Sequence, residues 1–175
     1  YRAFDKKTDK KVKTSLASLV LKACESGNRI VNLSAGYSDF GRLFGVTAIP
    51  KGIKDELLNR GCLLVKAAGN SSRNINENKH DSTLLVQATN SLGSRSSFSD
   101  KGNISAPGSL IYSITPPGSK SPTNEACSDS LGRSRSGTSF AAPITAGAAA
   151  TALSILKSNQ KFIANYLGKP SGVQL

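Results

Sequence analysis

The chain has 175 residues, 38% apolar and 19% charged, and shows no internal repeat or low-complexity tract. That is the size and composition of a single soluble domain with a core of its own, and it excludes a repeat array. Lysine and arginine number 23 against 11 acidic residues, a net charge of +12, but the charges form no single stripe and read as a soluble basic surface rather than a site for an acidic partner. The densest cluster (Arg2, Lys6, Lys7, Lys10, Lys11 and Lys13) has no interleaved aromatic ladder, which argues against single-stranded nucleic-acid binding.

In chain order, Thr14 to Ser26 reads as a helix, because Leu16, Leu19, Val20 and Ala23 recur at helical spacing and Gly27 stops the pattern. Arg29 to Ser34 is a short β-branched run that breaks at Gly36, hence a buried strand. Residues 37 to 50 read as a loop with a short turn of helix. Pro50 then starts a second helix, Lys51 to Asn59, closed by Gly61. Cys62 to Ala68 and Leu84 to Ala88 are two further apolar strands, the first ending at Gly69-Asn70.

Strands without polar alternation, linked by helices, predict an α/β fold with a parallel sheet covered on both faces. From Ser94 the chain turns irregular, with short strands expected at Ile104 to Ala106 and Ile111 to Ile114. The last long element, Thr138 to Lys157, approaches the length of a membrane span. Its alanine content, Pro143 and Gly147 favour a buried central helix of an α/β domain instead, so no membrane partner is expected.

The three cysteines, Cys24, Cys62 and Cys127, form no CxxC motif, and the single histidine, His80, has no cysteine or histidine at metal-site spacing. One disulfide with one free thiol, or three free thiols, both satisfy the count. Methionine is absent and the chain opens on Tyr1, so a portion of a longer protein is expected; no secretory leader pattern stands at the start.

The strongest local signal is Ser136-Gly137-Thr138-Ser139-Phe140-Ala141-Ala142-Pro143. A serine at a helix N-terminus lies among free backbone N–H groups and the positive end of the helix dipole, which together can stabilise an oxyanion. Gly137 keeps the approach open, the small residues let the helix sink into a core, and Pro143 is expected in the first turn, where its missing N–H costs little. Alone, the segment also reads as an ordinary Ser/Thr cap of a buried helix.

The full octapeptide resembles the serine motif of the subtilase family (peptidase S8 type), G-T-S-x-A-x-P. Phe140 stands where the family often has methionine, and Ile144 where it often has a histidine outside the triad. The resemblance implies that Ser139 is the nucleophile of a serine protease. Val65 to Asn70 resembles the family's A-A-G-N strand end, which implies that Asn70 donates its amide to the oxyanion and that Ala68 and Gly69 line the substrate site. From its surroundings alone, Asn70 also reads as a left-handed or Asx-turn residue.

Ile30-Val31-Asn32-Leu33-Ser34-Ala35-Gly36 is similar to the family's strand V-I-N-M-S-L-G. There an extended substrate adds as a strand, which implies that Ser34, Ala35 and Gly36 line its non-primed side, with Ala35 in place of leucine opening a subsite. Ser97 to Gly102 and Ile104 to Gly108 resemble the S-F-S-x-x-G…A-P-G stretch, structural in the family. Four motifs in family order, from Ile30 to Gly147, imply a subtilisin-like three-layer sandwich, incomplete at its N-terminal side. Residues 1–175 would be the C-terminal portion of one catalytic domain.

Serine hydrolysis needs a base for the hydroxyl proton and a carboxylate to orient that base. The family's D-x-G and H-G-T-H type motifs, which supply them, are absent. Asp5 and Asp9 follow no apolar strand, and His80 falls after Asn70, out of family order, as a surface-loop residue. The expectation is therefore a serine endopeptidase that acts on peptide or protein substrates and takes its Asp and His from an N-terminal part of the same protein or from a separate chain. By itself the chain would be inactive; a non-catalytic peptide-binding module and a basic nucleic-acid-binding domain are the rivals. The family implies a secreted or cell-envelope location. It also admits calcium, but Glu125 and Asp129 are too scattered to mark a site, and no cofactor is assigned.

Overall fold

The computed structural model describes residues 16–34, 49–74, 80–114 and 132–159. Its elements are α1 (Leu16–Glu25), β1 (Ile30–Leu33), α2 (Lys51–Asn59), β2 (Leu63–Ala67), β3 (Thr83–Thr89), β4 (Ile104–Pro107), β5 (Ile111–Ile114), β6 (Gly132–Arg135) and α3 (Thr138–Ser158). β1 to β4 form a parallel sheet in sequential order, with Val31 beside Leu64, Val65 beside Leu84, and Val86 beside Ile104. β5 and β6 form a separate antiparallel pair.

The apolar strands read without alternation because the side chains alternate between two helical layers. Leu33 and Leu64 point to one face and pack with Val20 and Cys24 of α1, Leu57 of α2 and the neighbouring Cys62. Val65, Ala67, Val86, Ala88 and Ala106 point to the other, against Ala141 and Ala142 of α3. Alanines on both sides of that second interface let α3 lie close against the sheet.

Three features depart from sequence expectation. β6 is a strand built from Gly-Arg-Ser-Arg, with no apolar alternation to announce it; its pairing with β5 is backbone bonding. Pro143 is not in the first turn of α3. The helix starts at Thr138, so Pro143 lies in the second turn and removes the N–H that would otherwise bond the Ser139 carbonyl. And α3 is not a buried helix throughout: only Thr138, Ala141, Ala142 and Thr145 of it are buried, while Ile144, Ile155 and Leu156 are exposed. By length and composition alone the helix could cross a membrane; its first turns instead lie on the sheet.

Cys24 and Cys62 are free and buried. Burial, and then the hydrogen-bonded Cys24 thiol, push the Cys62 thiol up to about 12. Cys127 lies outside the described residues.

Gly108 sets the seat of α3. A Cβ there would stand 2.5 Å from the Ala88 Cβ, 2.9 Å from the Gly137 carbonyl and 3.2 Å from the Ala141 Cβ, and the Gly108 carbonyl accepts the Gly137 N–H at 2.7 Å. Any side chain must therefore push the helix start off β3. Gly108→Ala is expected to lower the unfolding free energy by about 1–3 kcal/mol, read as a drop in denaturant midpoint; an unchanged midpoint would show that α3 has room to shift.

Candidate active site

The site forms where β2 ends and α3 begins, at the carboxyl end of a parallel sheet, the usual place for ligands in such folds. After Ala67 the chain passes Ala68, buried, and Gly69, whose φ of +120° requires glycine. It then reaches Asn70. Asn70 is absent from the positive-φ residues, so the left-handed reading does not hold. Its side chain serves α3 instead: Oδ1 accepts the Thr138 N–H at 2.9 Å and the Thr138 hydroxyl at 3.0 Å.

Gly137, at the N-cap position, offers no side chain to cap the helix, and Asn70 supplies that acceptor from 68 residues away. Thr138 is fully buried. Its Oγ1 donates to Asn70 and accepts the Gly69 N–H at 3.1 Å, so both capacities of the hydroxyl are used. A backbone N–H can only donate, so the atom facing Thr138 N is the amide oxygen, and the Asn70 Nδ2 hydrogens are left to a different acceptor.

Nδ2 has a companion. The point where a Cβ on Gly137 would lie is 3.5 Å from Asn70 Nδ2 and 3.7 Å from Ser139 N. Two N–H donors therefore border one small space, kept open by glycine, beside the half-buried Ser139 on the first turn of α3. A negative oxygen in that space would meet both donors and the positive end of the helix. Chemically, two donors so placed could receive an oxyanion next to a hydroxyl.

Ser34 is exposed, with its Oγ accepting from Asn32 Nδ2 at 2.9 Å, just past β1. β1 is an edge strand among the described residues. Ala35 and Gly36 lie outside the described residues, as do Asp5, Asp9, Glu125 and Asp129. No group of acidic, cysteine and histidine side chains able to hold a metal occurs among the described residues.

His80 is not a surface-loop residue, as its neighbourhood in the sequence suggests. Its side chain is 13% exposed. Nε2 meets Asp55 Oδ1 at 3.0 Å and Nδ1 meets Ser82 Oγ at 2.9 Å, while Ser82 Oγ donates to the Lys54 carbonyl. The three residue types of a triad thus meet, but at the wrong end of the sheet. Thr83 opens β3 level with Leu64, so His80 is roughly 15–20 Å from Asn70 by strand rise. The cluster ties α2 to the start of β3 and gives Ser139 no base.

The sequence model of the subtilase family matches residues 3–165. The chain belongs to the subtilase family. This subtilase chain is 33% identical over 141 residues to subtilisin DY of Bacillus licheniformis, covering 75% of the chain and 45% of that relative. It is 34% identical over 134 residues to subtilisin E of Bacillus subtilis strain 168, covering 71% and 30%.

Among solved structures, the prenylagaramide maturation protease PagA overlays with a TM-score of 0.66 at 27% identity, covering 90% of the chain and 55% of that protein. The self-cleaved protease domain of PatA overlays at 0.63 and 29%, covering 83% and 52%. The chain thus spans less than half of these subtilisins and about half of the maturation proteases. The fold is the subtilisin-like α/β sandwich.

The clasp at the far end of the sheet has a pH signature. The His80 hydrogen bond, with help from the Lys51 ammonium 3.8 Å away, holds the Asp55 carboxyl below its ordinary 3.8, against a smaller opposing effect of burial. A depressed folded value stabilises the fold above the unfolded value and loses that contribution as pH falls through the folded one. The stability difference between the native chain and Asp55→Asn is expected to shrink as denaturant midpoints are taken from about pH 5 to about pH 3; a gap independent of pH would show that the carboxylate charge contributes nothing.

Proposed function

We propose that this chain is the nucleophile-bearing portion of a subtilisin-like serine endopeptidase. Ser139 Oγ attacks a peptide carbonyl as a base outside this chain takes its proton, the carbonyl oxygen becomes an oxyanion between Asn70 Nδ2 and Ser139 N, and collapse breaks the C–N bond as that base passes the proton to the departing amine, leaving an acyl-enzyme on Ser139. Water then releases the acid by the same route. The convergence of those two donors beside Gly137 carries this reading.

An extended peptide would lie along Ser34, Ala35 and Gly36 on one side and Ala68 and Gly69 on the other, adding as a strand through backbone bonds. The proton acceptor and its orienting carboxylate come from outside this chain, from an N-terminal part of the same protein or a separate chain. His80, the only histidine in the sequence, is committed to Asp55. The names of the similar proteins, subtilisins and maturation proteases, support the reaction class and leave the substrate open. A secreted or cell-envelope location is part of the proposal, as is the lack of any nucleic-acid or membrane partner; calcium is assigned no site.

A fluorophosphonate probe tests the reading on the protein with all three triad members present. Labelling is expected at Ser139 and is lost in Ser139→Ala; a folded protein that never labels would instead be a peptide-binding module. Asn70→Ala is expected to lower kcat by roughly a hundred- to a thousandfold with little change in KM, a magnitude taken from subtilisin itself. Gly137→Ala puts a methyl group in the space between the two donors, so steady-state kinetics should show a fall of about a hundredfold or more in kcat; near-native turnover would mean that the oxyanion sits elsewhere.

A further inference from the structure

Asp100 is buried, at 1% exposure, in the turn between β3 and β4. Its Oδ1 accepts the Ser71 N–H at 3.1 Å and the Arg73 N–H at 2.6 Å. Its own N–H donates to the Gly69 carbonyl at 2.9 Å. One residue therefore holds the backbone on both sides of Asn70. Neighbours reinforce the grip: Ser72, in the left-handed region at φ +59°, donates its N–H to the Phe98 carbonyl and its hydroxyl to the Ser97 carbonyl, and the Lys101 N–H donates to the Arg73 carbonyl.

The other carboxyl oxygen, Oδ2, is buried with no hydrogen-bond partner. A buried carboxylate with one oxygen unpaired is unfavourable by itself, and the hydrogen bonds made by Oδ1 and the backbone N–H all go to residues 69–73. They hold no core strand or helix. What they hold is the loop that aims Asn70, whose Oδ1 is already pinned to Thr138.

We propose that Asp100 is a positioning residue for the oxyanion donor, fixing the backbone that carries Asn70 so that Nδ2 stays on the space beside Ser139. Asp100 touches neither Ser139 nor substrate; it acts through Asn70. The proposal rests on the protease reading, which assigns that donor its role. Without the carboxylate, residues 70–73 lose two anchoring bonds, and a misplacement of about 1 Å in a catalytic donor lowers turnover by up to a hundredfold.

The test is a double-mutant cycle in the protein carrying the complete triad, with kcat and KM measured on a chromogenic peptide. Asp100→Ala is expected to lower kcat about ten- to a hundredfold with KM within about twofold. In the Asn70→Ala background the same change should cost no more than about twofold further, because the donor it positions is gone. Asp100→Asn keeps an acceptor for Ser71 and Arg73 and should recover most of the turnover.

Losses that multiply in the double mutant, or a rise in KM with kcat intact, overturn the proposal while leaving the protease reading standing. A wild type that neither cleaves nor labels overturns both. If Asp100→Ala does not fold, amide exchange in the wild type decides: Ser71 and Arg73 amides protected like those of β2 support the clamp, and amides exchanging at free-peptide rates refute it.

Discussion

A single buried hydroxyl holds the candidate site together. Thr138 Oγ1 receives the Gly69 N–H and gives its own hydrogen to Asn70, so the end of β2 and the start of α3 are joined by a bond pair spanning 69 and 68 positions of the chain. In a buried setting a lost partner costs about 1–3 kcal/mol, so the two elements resist sliding past one another. The same contact gives Asn70 a double duty. Its oxygen caps the helix, and that commitment aims the nitrogen. A side chain serving only as a donor would be free to rotate; this one is fixed by the helix it faces.

The sheet makes the contact reachable. Parallel strands bring all their carboxyl ends to one edge, and small residues on the α3 face bring the helix start down to that edge. Gly108 removes the last obstacle, and the Gly137 N–H docks on its carbonyl. Helix dipole, free backbone donors and hydroxyl then coincide at the start of α3, and Asn70 is held by that helix as well as by its own loop. Where a loop does contribute, at residues 69–73, it is bound to the segment around Asp100.

How far the sequence discloses this differs by feature. The strands and helices of the sheet are readable from Ile30 to Leu33, Leu63 to Ala67 and Lys51 to Asn59, because local periodicity and Pro/Gly punctuation act within a few residues. The juxtaposition of Asn70 and Ser139 is readable through motif resemblance. It is not readable from either residue by itself, since an asparagine after a strand and a serine at a helix start are both common.

What stays hidden is long-range or polar. β6 is Gly-Arg-Ser-Arg and exists through its partner. His80 looks like a loop residue until Asp55, 25 positions away, is seen against its ring. Asp100 stands in a serine-rich turn, where nothing local marks it as buried. Pro143 falls one turn later than its motif suggests, because a helix beginning at Thr138 closes its first turn by Ala141.

The clasp of Asp55, His80 and Ser82 gives the molecule a division of labour between the two ends of its sheet. Substitutions farther apart than about 7–10 Å, with no shared partners, combine additively. The amino end can therefore drift, gaining or losing tolerance to heat or acidity as a lineage changes habitat, without negotiating with the geometry at the carboxyl end. Adaptation of durability and adaptation of chemistry can proceed on separate surfaces of one small sheet.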